Sequence, residues 1–157
     1  MLRKIKPDDE KSIKDLLSEF PQQIQENLNT ELKQALNERV EGFVYVDDNQ
    51  IAGYIVLRKW GGVYHLDTLV VKPALRGKGI GKALVQFSKE KCIEENIPQL
   101  NTCTFEPQNI SFYQKLGFFY MGDLNGPFMP LEKKRSYFKW VNKDFKNTYK
   151  NPNHPEK

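Results

Sequence analysis

The sequence has little of what marks secreted, membrane-bound or disulfide-stabilised proteins. Only two of its 157 residues are cysteines, Cys92 and Cys103, and they have neither metal-ligand spacing nor a CxxC pattern. No stretch approaches the ~20 apolar residues that a membrane-spanning helix needs, and residues 1–7 lack the apolar core of a signal peptide. We therefore expect a cytoplasmic protein with reduced thiols, no membrane partner and no metal site.

An excess of one charge sign is also nearly absent. The 24 Lys and Arg residues outnumber the 20 Asp and Glu residues by only four, and they are spread along the chain apart from short clusters such as 133–135. A nucleic-acid-binding domain more often carries a basic stripe with interleaved aromatic residues, so we expect no nucleic-acid partner. An RNA-binding module is the least supported interpretation, and it predicts an affinity that falls steeply with salt.

Length and composition favour one folded domain. Hydrophobic residues make up 39% of the chain and aromatic residues 12%, which is too much for a disordered segment. The chain also matches the usual domain size of roughly 100–150 residues. We expect a single domain over residues 1–144 and a flexible C-terminal tail over 145–157, which contains Asn, Pro and Lys.

Apolar residues recur at strand spacing in some segments and at helix spacing in others. The predicted strands are 2–5, 42–46, 51–57, 63–71, 100–105, 118–121 and 137–141, and the predicted helices have apolar faces within 13–20, 24–36, 80–96 and 110–116. The strand at 63–71 ends in a nearly continuous apolar run, which is typical of a buried central strand. The order β-α-α-β-β-β-α-β-α-β-β predicts an α/β protein with a mixed sheet and helices on both faces.

A glycine-rich loop, Arg76-Gly-Lys-Gly-Ile-Gly81, follows the buried strand and precedes a helix. Glycine lets the backbone approach a ligand closely, and the free N–H groups at a helix start attract an anion, above all a phosphate. The spacing excludes two common phosphate loops. A Walker loop would need Gly at Arg76 and Ser or Thr at Ala83, and a dinucleotide fingerprint would need Gly at Lys82 or Leu84.

The pattern Arg-x-x-Gly-x-Gly, after a strand that ends Leu69-Val-Val-Lys-Pro73, resembles motif A of the GNAT (Gcn5-related N-acetyltransferase) superfamily. The run Phe112-Tyr-Gln-Lys-Leu-Gly-Phe118 is similar to the end of that family's motif B. The motif resemblance covers about residues 65–118, and the order of elements extends it over most of the chain. It implies a mostly antiparallel sheet whose central strands splay apart. It also implies a single-domain N-acetyltransferase that moves acetyl from acetyl-CoA to a primary amine by direct attack.

The resemblance implies which residues bind acetyl-CoA. In the family, backbone amides of the loop hold the pyrophosphate and the preceding strand pairs with the pantetheine arm. The residues assigned in this way are Leu69, Val70, Val71, Arg76, Gly77, Lys78, Gly79, Ile80, Gly81, Lys82 and, from a weaker match, Asn109. The side chains of the two lysines either add charge near the phosphates or are solvated. Many family members carry Asn where this chain has Glu106, which either faces a cationic acceptor or, as we favour, is solvated.

The resemblance also implies the catalytic groups. Tyr113 matches the general acid that protonates the departing CoA thiolate, and a phenol with a pKa of about 10 keeps its proton at neutral pH. The alternative is a tyrosine that only packs in the core. The base that deprotonates the amine stays open between His65, which stands where relatives often place Glu or His, Asp67 on the same strand face, and water. Neither cysteine is placed beside a histidine in the sequence, so we expect no acyl-enzyme.

The acceptor is not readable from the sequence. In the superfamily it is set by segments that correspond here to about 20–40 and 122–136, and these hold no diagnostic motif. Small amines, antibiotics, amino acids and protein amino groups all stay open, as does the oligomeric state, a homodimer included. The alternative function is a non-catalytic acyl-CoA sensor. It predicts CoA binding without turnover and indifference to changes at His65 and Tyr113.

Overall fold

A seven-stranded sheet forms the middle layer of the computed structural model, which describes residues 1–128, 131–132, 134–148 and 152–153. The strands are β1 (Leu2–Lys4), β2 (Glu41–Asp47), β3 (Gln50–Trp60), β4 (Val63–Val71), β5 (Gln99–Thr104), β6 (Phe119–Leu124), β7 (Pro127–Phe128), β8 (Leu131–Glu132) and β9 (Arg135–Val141). The order in the sheet is β1-β2-β3-β4-β5-β9-β6, and β7 pairs with β8 separately. Only β4 and β5 run parallel among the neighbouring pairs of the described sheet. The predicted mixed, mostly antiparallel sheet is confirmed.

Helices cover both faces of the sheet, as predicted. They are α1 (Glu10–Leu17), α2 (Gln25–Leu36), α3 (Ile80–Glu94) and α4 (Asn109–Lys115). The apolar stripes of α1 and α2 pack on one face, where Leu17 and Leu32 meet Tyr54 of β3. The stripes of α3 and α4 pack on the other face, where Leu84 and Tyr113 meet the apolar residues of β4 and β5. Among the described residues, no helix is long and apolar enough to span a membrane.

The first helix ends earlier than the apolar spacing predicts. α1 stops at Leu17, and the chain then makes two tight turns in which the N–H of Phe20 donates to the Leu17 carbonyl at 3.1 Å. The side-chain amide of Gln25 also donates to the carbonyls of Leu17 and Phe20, at 2.6 and 2.8 Å. These bonds satisfy the carbonyls that a longer helix would have used. Phe20 consequently leaves the helix and becomes available to the site described below.

A β-bulge interrupts the pairing of β3 with β4 at the point where β4 and β5 part. Leu66 of β4 pairs with Leu57 of β3 and Thr68 pairs with Val56, so Asp67 is an extra residue on β4. Such a bulge bends a strand and increases its twist. The parallel pairing of β4 with β5 consequently covers only three residue pairs and stops at Leu66. Beyond it, β4 stays with β3 and β5 stays with β9, which confirms the predicted splay.

The chain after β9 is tied to the end of α3. The side-chain amide of Asn142 donates to the Ile97 carbonyl at 2.9 Å. Asn96 and Lys146 exchange two hydrogen bonds of 2.9 Å, one from the Asn96 side chain and one to it. The predicted flexible tail over 145–157 lies partly outside the described residues and stays a prediction.

Candidate functional site

A cavity of about 690 Å³ lies where β4 and β5 separate. Its walls come from the α1–α2 connection and the first half of α2, from β3 and the middle of β4, from β5 and α4, and from β6 and β9. The volume falls within the range of roughly 300–1,000 Å³ that is usual for small-molecule sites. The splay that the bulge produces therefore creates room for a ligand inside the sheet itself.

The glycine loop forms an anion cradle at the end of β4. Gly77 and Gly79 have φ angles of +78° and +83°, which an L side chain rarely adopts. α3 begins at Ile80, and the N–H of Ala83 makes the first helical bond, to the Gly79 carbonyl at 3.0 Å. The preceding N–H groups of α3, from Ile80 to Lys82, have no acceptor within the helix. These amides and the helix dipole together favour a phosphate.

β4 connects the cavity to this cradle. Leu69 lines the cavity, and the side chain of Val71 packs against the first turn of α3. The side chain of Val70 is buried on the opposite face, with α1 and α2. Past the bulge, the edge of β4 that faces β5 pairs with no strand among the described residues. An extended ligand could therefore pair with this edge as an additional strand.

The three basic side chains of the loop have different surroundings. The Arg76 Nε donates to the Val71 carbonyl at 3.0 Å, which ties the loop to the end of β4. Lys78 and Lys82 are exposed. The structure thus gives Arg76 a bracing contact, and it leaves the two lysines near the cradle with their charges in solvent.

Tyr113 lies in the wall of the cavity and in the core at once. It is only 5% exposed, and its ring packs against Phe118 and Phe138 at centroid distances of 5.4 and 5.3 Å. Burial raises the pKa of Tyr113 to about 12, although a hydrogen bond with Thr102 opposes the rise. The phenol therefore keeps its proton at neutral pH, as a proton donor must.

His65 and Asp67 both line the cavity but differ in their partners. The Nε2 of His65 is buried and has no hydrogen-bond partner among the residues that the structure describes. Asp67 accepts a hydrogen bond of 2.7 Å from the Nε of Arg58, so its carboxylate is already held in an ion pair. The two candidate bases are thus brought together, and His65 has the less occupied polar atom.

Glu31 is a titratable group of the cavity that the sequence analysis missed. It extends from α2, its side chain is 15% exposed, and it accepts a hydrogen bond from the Thr68 hydroxyl. Burial raises the pKa of Glu31 to about 7; the Thr68 hydrogen bond opposes the rise, and the nearby Asp67 carboxylate adds to it. A carboxyl group with a pKa near neutral can exchange a proton at physiological pH.

The sequence did contain a signal for Glu31. The residue stands three positions after Leu28 and four before Ala35, which places it on the apolar face predicted for this helix. A lone charge within such a face is buried when the face packs, and a buried carboxyl is enriched at functional sites.

The residues at the start of α4 form a small hydrogen-bonded group. The Thr104 hydroxyl accepts from the Asn109 side chain at 3.2 Å and from the Glu106 N–H at 3.0 Å. Glu106 is exposed, and its carboxylate accepts from Gln108 at 3.2 Å. Asn109 and Glu106 both line the cavity. The Asn109 amide braces this turn, and its predicted contact with CoA stays a prediction.

The cysteines are free thiols in different surroundings. Cys103 lines the cavity, and Cys92 is a residue of α3 whose side chain lies in the core. Burial raises the pKa of Cys103, and it raises that of Cys92 to about 12. A thiol that keeps its proton is a weak nucleophile. Over the described part of the chain, no group of three or more His, Cys, Asp and Glu side chains is placed to hold a metal ion.

Comparison with known proteins gives one matching family. A family model described as "Acetyltransferase (GNAT) family" matches residues 10–118. YxbD of Bacillus subtilis is 36% identical over 77 residues, which are 46% of this chain and 45% of that protein. Acetyltransferase Atu2258 of Agrobacterium fabrum is 28% identical over 99 residues, which are 63% of this chain and 69% of that protein. The chain therefore spans less than half the length of the first of these relatives.

Solved structures share the fold. A crystal structure of an aminoglycoside 6′-N-acetyltransferase complexed with coenzyme A matches with a TM-score of 0.72 at 17% identity. The match covers 90% of this chain and 96% of that one. At this level of identity the likeness shows the fold alone.

The raised pKa of Glu31 predicts how stability depends on pH. The pKa is about 7 in the folded protein and about 4.3 in an unfolded chain. The folded state therefore holds more protons between these values, and stability falls as the pH rises from about 4 to about 7. Glu31→Gln cannot ionise and removes this fall, which is worth about 3 kcal/mol. In urea unfolding at pH 5, 6, 7 and 8, the free energy of unfolding of Glu31→Gln should increase relative to that of the wild type as the pH rises.

The matched control is Glu26→Gln, which changes an exposed carboxylate in the first turn of the same helix. We expect its pH dependence to follow that of the wild type. Parallel stability curves for Glu31→Gln and the wild type would show that Glu31 titrates as an ordinary surface carboxylate.

Proposed function

The chain belongs to the GNAT acetyltransferase family, and on that premise we propose that it moves the acetyl group of acetyl-CoA to a primary amine. The observation that carries the proposal is the arrangement along β4. An anion cradle lies at its carboxyl end, an unpaired backbone edge leads away from the cradle, and a cavity with a protonated tyrosine lies at the other end of that edge. A diphosphate, an extended amide chain and a thioester fit these three parts in that order.

The donor binds mainly through backbone groups in this proposal. The N–H groups of 77–82 hold the pyrophosphate, and the edge of Leu69 to Val71 pairs with the amides of the pantetheine arm. The Val71 carbonyl already accepts from Arg76, so at that residue its N–H is the group available to a ligand. Asn109 lies at the cavity wall where the arm enters.

The chemistry is a direct attack of the amine on the thioester carbonyl. The C–N bond forms, the C–S bond breaks, and the departing sulfur takes a proton from the Tyr113 hydroxyl. The acceptor enters as an ammonium ion and gives up two protons, of which one ends on sulfur and one passes to solvent. The sequence leaves His65, Asp67 and water open as the group that takes a proton from the nitrogen. Because Arg58 holds Asp67, His65 is the better placed of the two.

We also propose that the reaction takes place in the cytoplasm. Cys92 and Cys103 are free, and unpaired thiols are typical of a reducing compartment. Fractionation of cells that express a tagged chain would test this location.

The activity itself is tested by thiol release from acetyl-CoA with a panel of amines, amino acids, polyamines, aminoglycosides and peptides. We expect release that depends on one class of acceptor. A calorimetric titration with CoA is run in parallel. Tight CoA binding without thiol release for any acceptor would favour the acyl-CoA sensor. If the protein neither binds CoA nor releases thiol, the assignment of the cradle is refuted.

Tyr113→Phe removes only the phenolic hydroxyl. We expect turnover to fall by roughly ten- to a thousandfold, within the range of a positioned proton donor, while the affinity for acetyl-CoA changes little. The control is Tyr120→Phe, because Tyr120 packs beside the same Phe138 but is 43% exposed. A Tyr113→Phe variant with full turnover would remove the tyrosine from the mechanism.

Gly79→Ala places a side chain at a φ of +83°. The strain costs roughly 1–2 kcal/mol and is relieved by distortion of the cradle, so we expect the KM for acetyl-CoA to rise about tenfold. Gly61→Ala is the matched control, since Gly61 has a φ of +60° in a turn outside the loop. An equal rise in KM for the two variants would mean that strain, and not loss of the cradle, is what the assay reports.

A further inference from the structure

Building on the proposed acetyl transfer, we propose that Glu31 receives the ammonium group of the acceptor and takes its first proton. The acceptors are then primary amines that enter the cavity as cations. This assignment adds a group on α2 to the two strand residues that the sequence indicates. It also names the charge state of the substrate class.

The first argument is the balance of charge around Glu31. Glu31 and Asp67 bring two carboxylates to one wall of the cavity, and Arg58 is the cation that stands between them. The guanidinium donates to Asp67 at 2.7 Å, whereas its nearest approach to Glu31 is 3.9 Å. One guanidinium cannot neutralise two carboxylates. Glu31 therefore carries the charge that a second cation would balance.

The second argument is that Glu31 is positioned before any ligand arrives. The Thr68 hydroxyl donates to one of its oxygens, and the side chain is largely buried at 15% exposure. Burying a carboxylate that shares one guanidinium with a second carboxylate costs free energy. An ammonium group at this point supplies the second cation, so binding there is favoured over binding of a neutral molecule.

The groups that surround Glu31 leave it as the proton acceptor. From β4 it faces Asp67 and Thr68, and from β3 it faces Arg58 and the Tyr54 hydroxyl, which is buried without a hydrogen-bond partner among the described residues. α1 and β2 also pack on α2, and they contribute apolar residues to the shared core. Arg58 cannot accept a proton, Asp67 is held by Arg58, and burial raises the pKa of Tyr54. A pKa of about 7 lets Glu31 accept a proton near neutral pH and release it again.

The third argument concerns the carbon skeleton of the acceptor next to its amino group. Phe20, Ile24 and Leu28 line the cavity beside Glu31 and belong to the α1–α2 connection and the start of α2. Apolar carbons next to the amino group would contact these side chains. An alkylamine or arylalkylamine carries both features, a cationic nitrogen and an apolar stem.

Both protons that the ammonium group loses are accounted for. The ammonium gives its first proton to the Glu31 carboxylate, and the neutral amine attacks the thioester carbonyl. As the C–S bond breaks, Tyr113 protonates the sulfur, and the second proton of the nitrogen passes by way of His65 to restore the Tyr113 hydroxyl. Glu31 then returns its proton to solvent. The amide product is neutral, so the carboxylate that attracted the substrate no longer holds the product.

The test compares benzylamine with aniline, which carry the same ring but differ in charge at pH 7. We expect the wild type to prefer benzylamine, and Glu31→Gln to lower kcat/KM for benzylamine about a hundredfold and for aniline less than threefold. Glu31→Asp should recover part of the loss. Glu26→Gln on the exposed side of α2 should change neither value. An equal loss for both amines, or none, would overturn the proposal.

The second test measures kcat/KM against pH for the best acceptor of the amine panel. It applies even if the protein acetylates neither benzylamine nor aniline. For the wild type, kcat/KM should rise up to about pH 7 and then flatten. For Glu31→Gln it should keep rising tenfold per pH unit toward the pKa of the amine itself. The KM for acetyl-CoA should be the same in both proteins. Identical pH profiles for the two proteins would overturn the role of Glu31. If the wild type releases no thiol with any amine of the panel, the acetyl transfer itself is refuted.

Discussion

One extra residue in β4 is the constraint on which the site depends. Without the bulge at Asp67, regular parallel pairing would continue past Leu66 and β5 would occupy the edge that we assign to pantetheine. The cavity would then be filled by the sheet. The bulge gives up ladder hydrogen bonds, and in exchange it leaves backbone groups of β4 free for a ligand. It also turns Asp67 toward Arg58, which in turn leaves Glu31 short of a cation.

Features that depend on local sequence were predictable. Strand and helix periodicity gave the order of elements, because each buried face must follow its own period. Gly77 and Gly79 could be placed in the ligand loop because positive φ angles are a property of single residues. Tyr113 was found through a motif of neighbouring residues and His65 through its place on the strand before Arg76, and both line the cavity. Their catalytic roles stay predictions.

Features that depend on contacts between distant segments were not predictable. Arg58 lies beyond the predicted end of its strand at Leu57, since pairing with β4 carries β3 on to Trp60 despite the polar residues there. The bulge at Asp67 does not interrupt the alternation of buried and less buried residues along β4, so the sequence of this strand alone does not indicate it. Glu31 could be suspected from its place on an apolar helix face, but its contact with Thr68 joins segments that only the tertiary fold brings together.

The division between a backbone cradle and a side-chain cavity has a consequence for how this protein can diversify. Most mutations alter side chains and leave the main-chain amides of 77–82 unaltered, so the donor binding that we propose tolerates substitution except at the glycines of positive φ. The acceptor end that we propose includes side chains within 20–31 that line the cavity, and each such mutation can change it. New acceptor preferences can therefore arise by substitution in one helix and its preceding loop, while the backbone cradle that we assign to acetyl-CoA is kept.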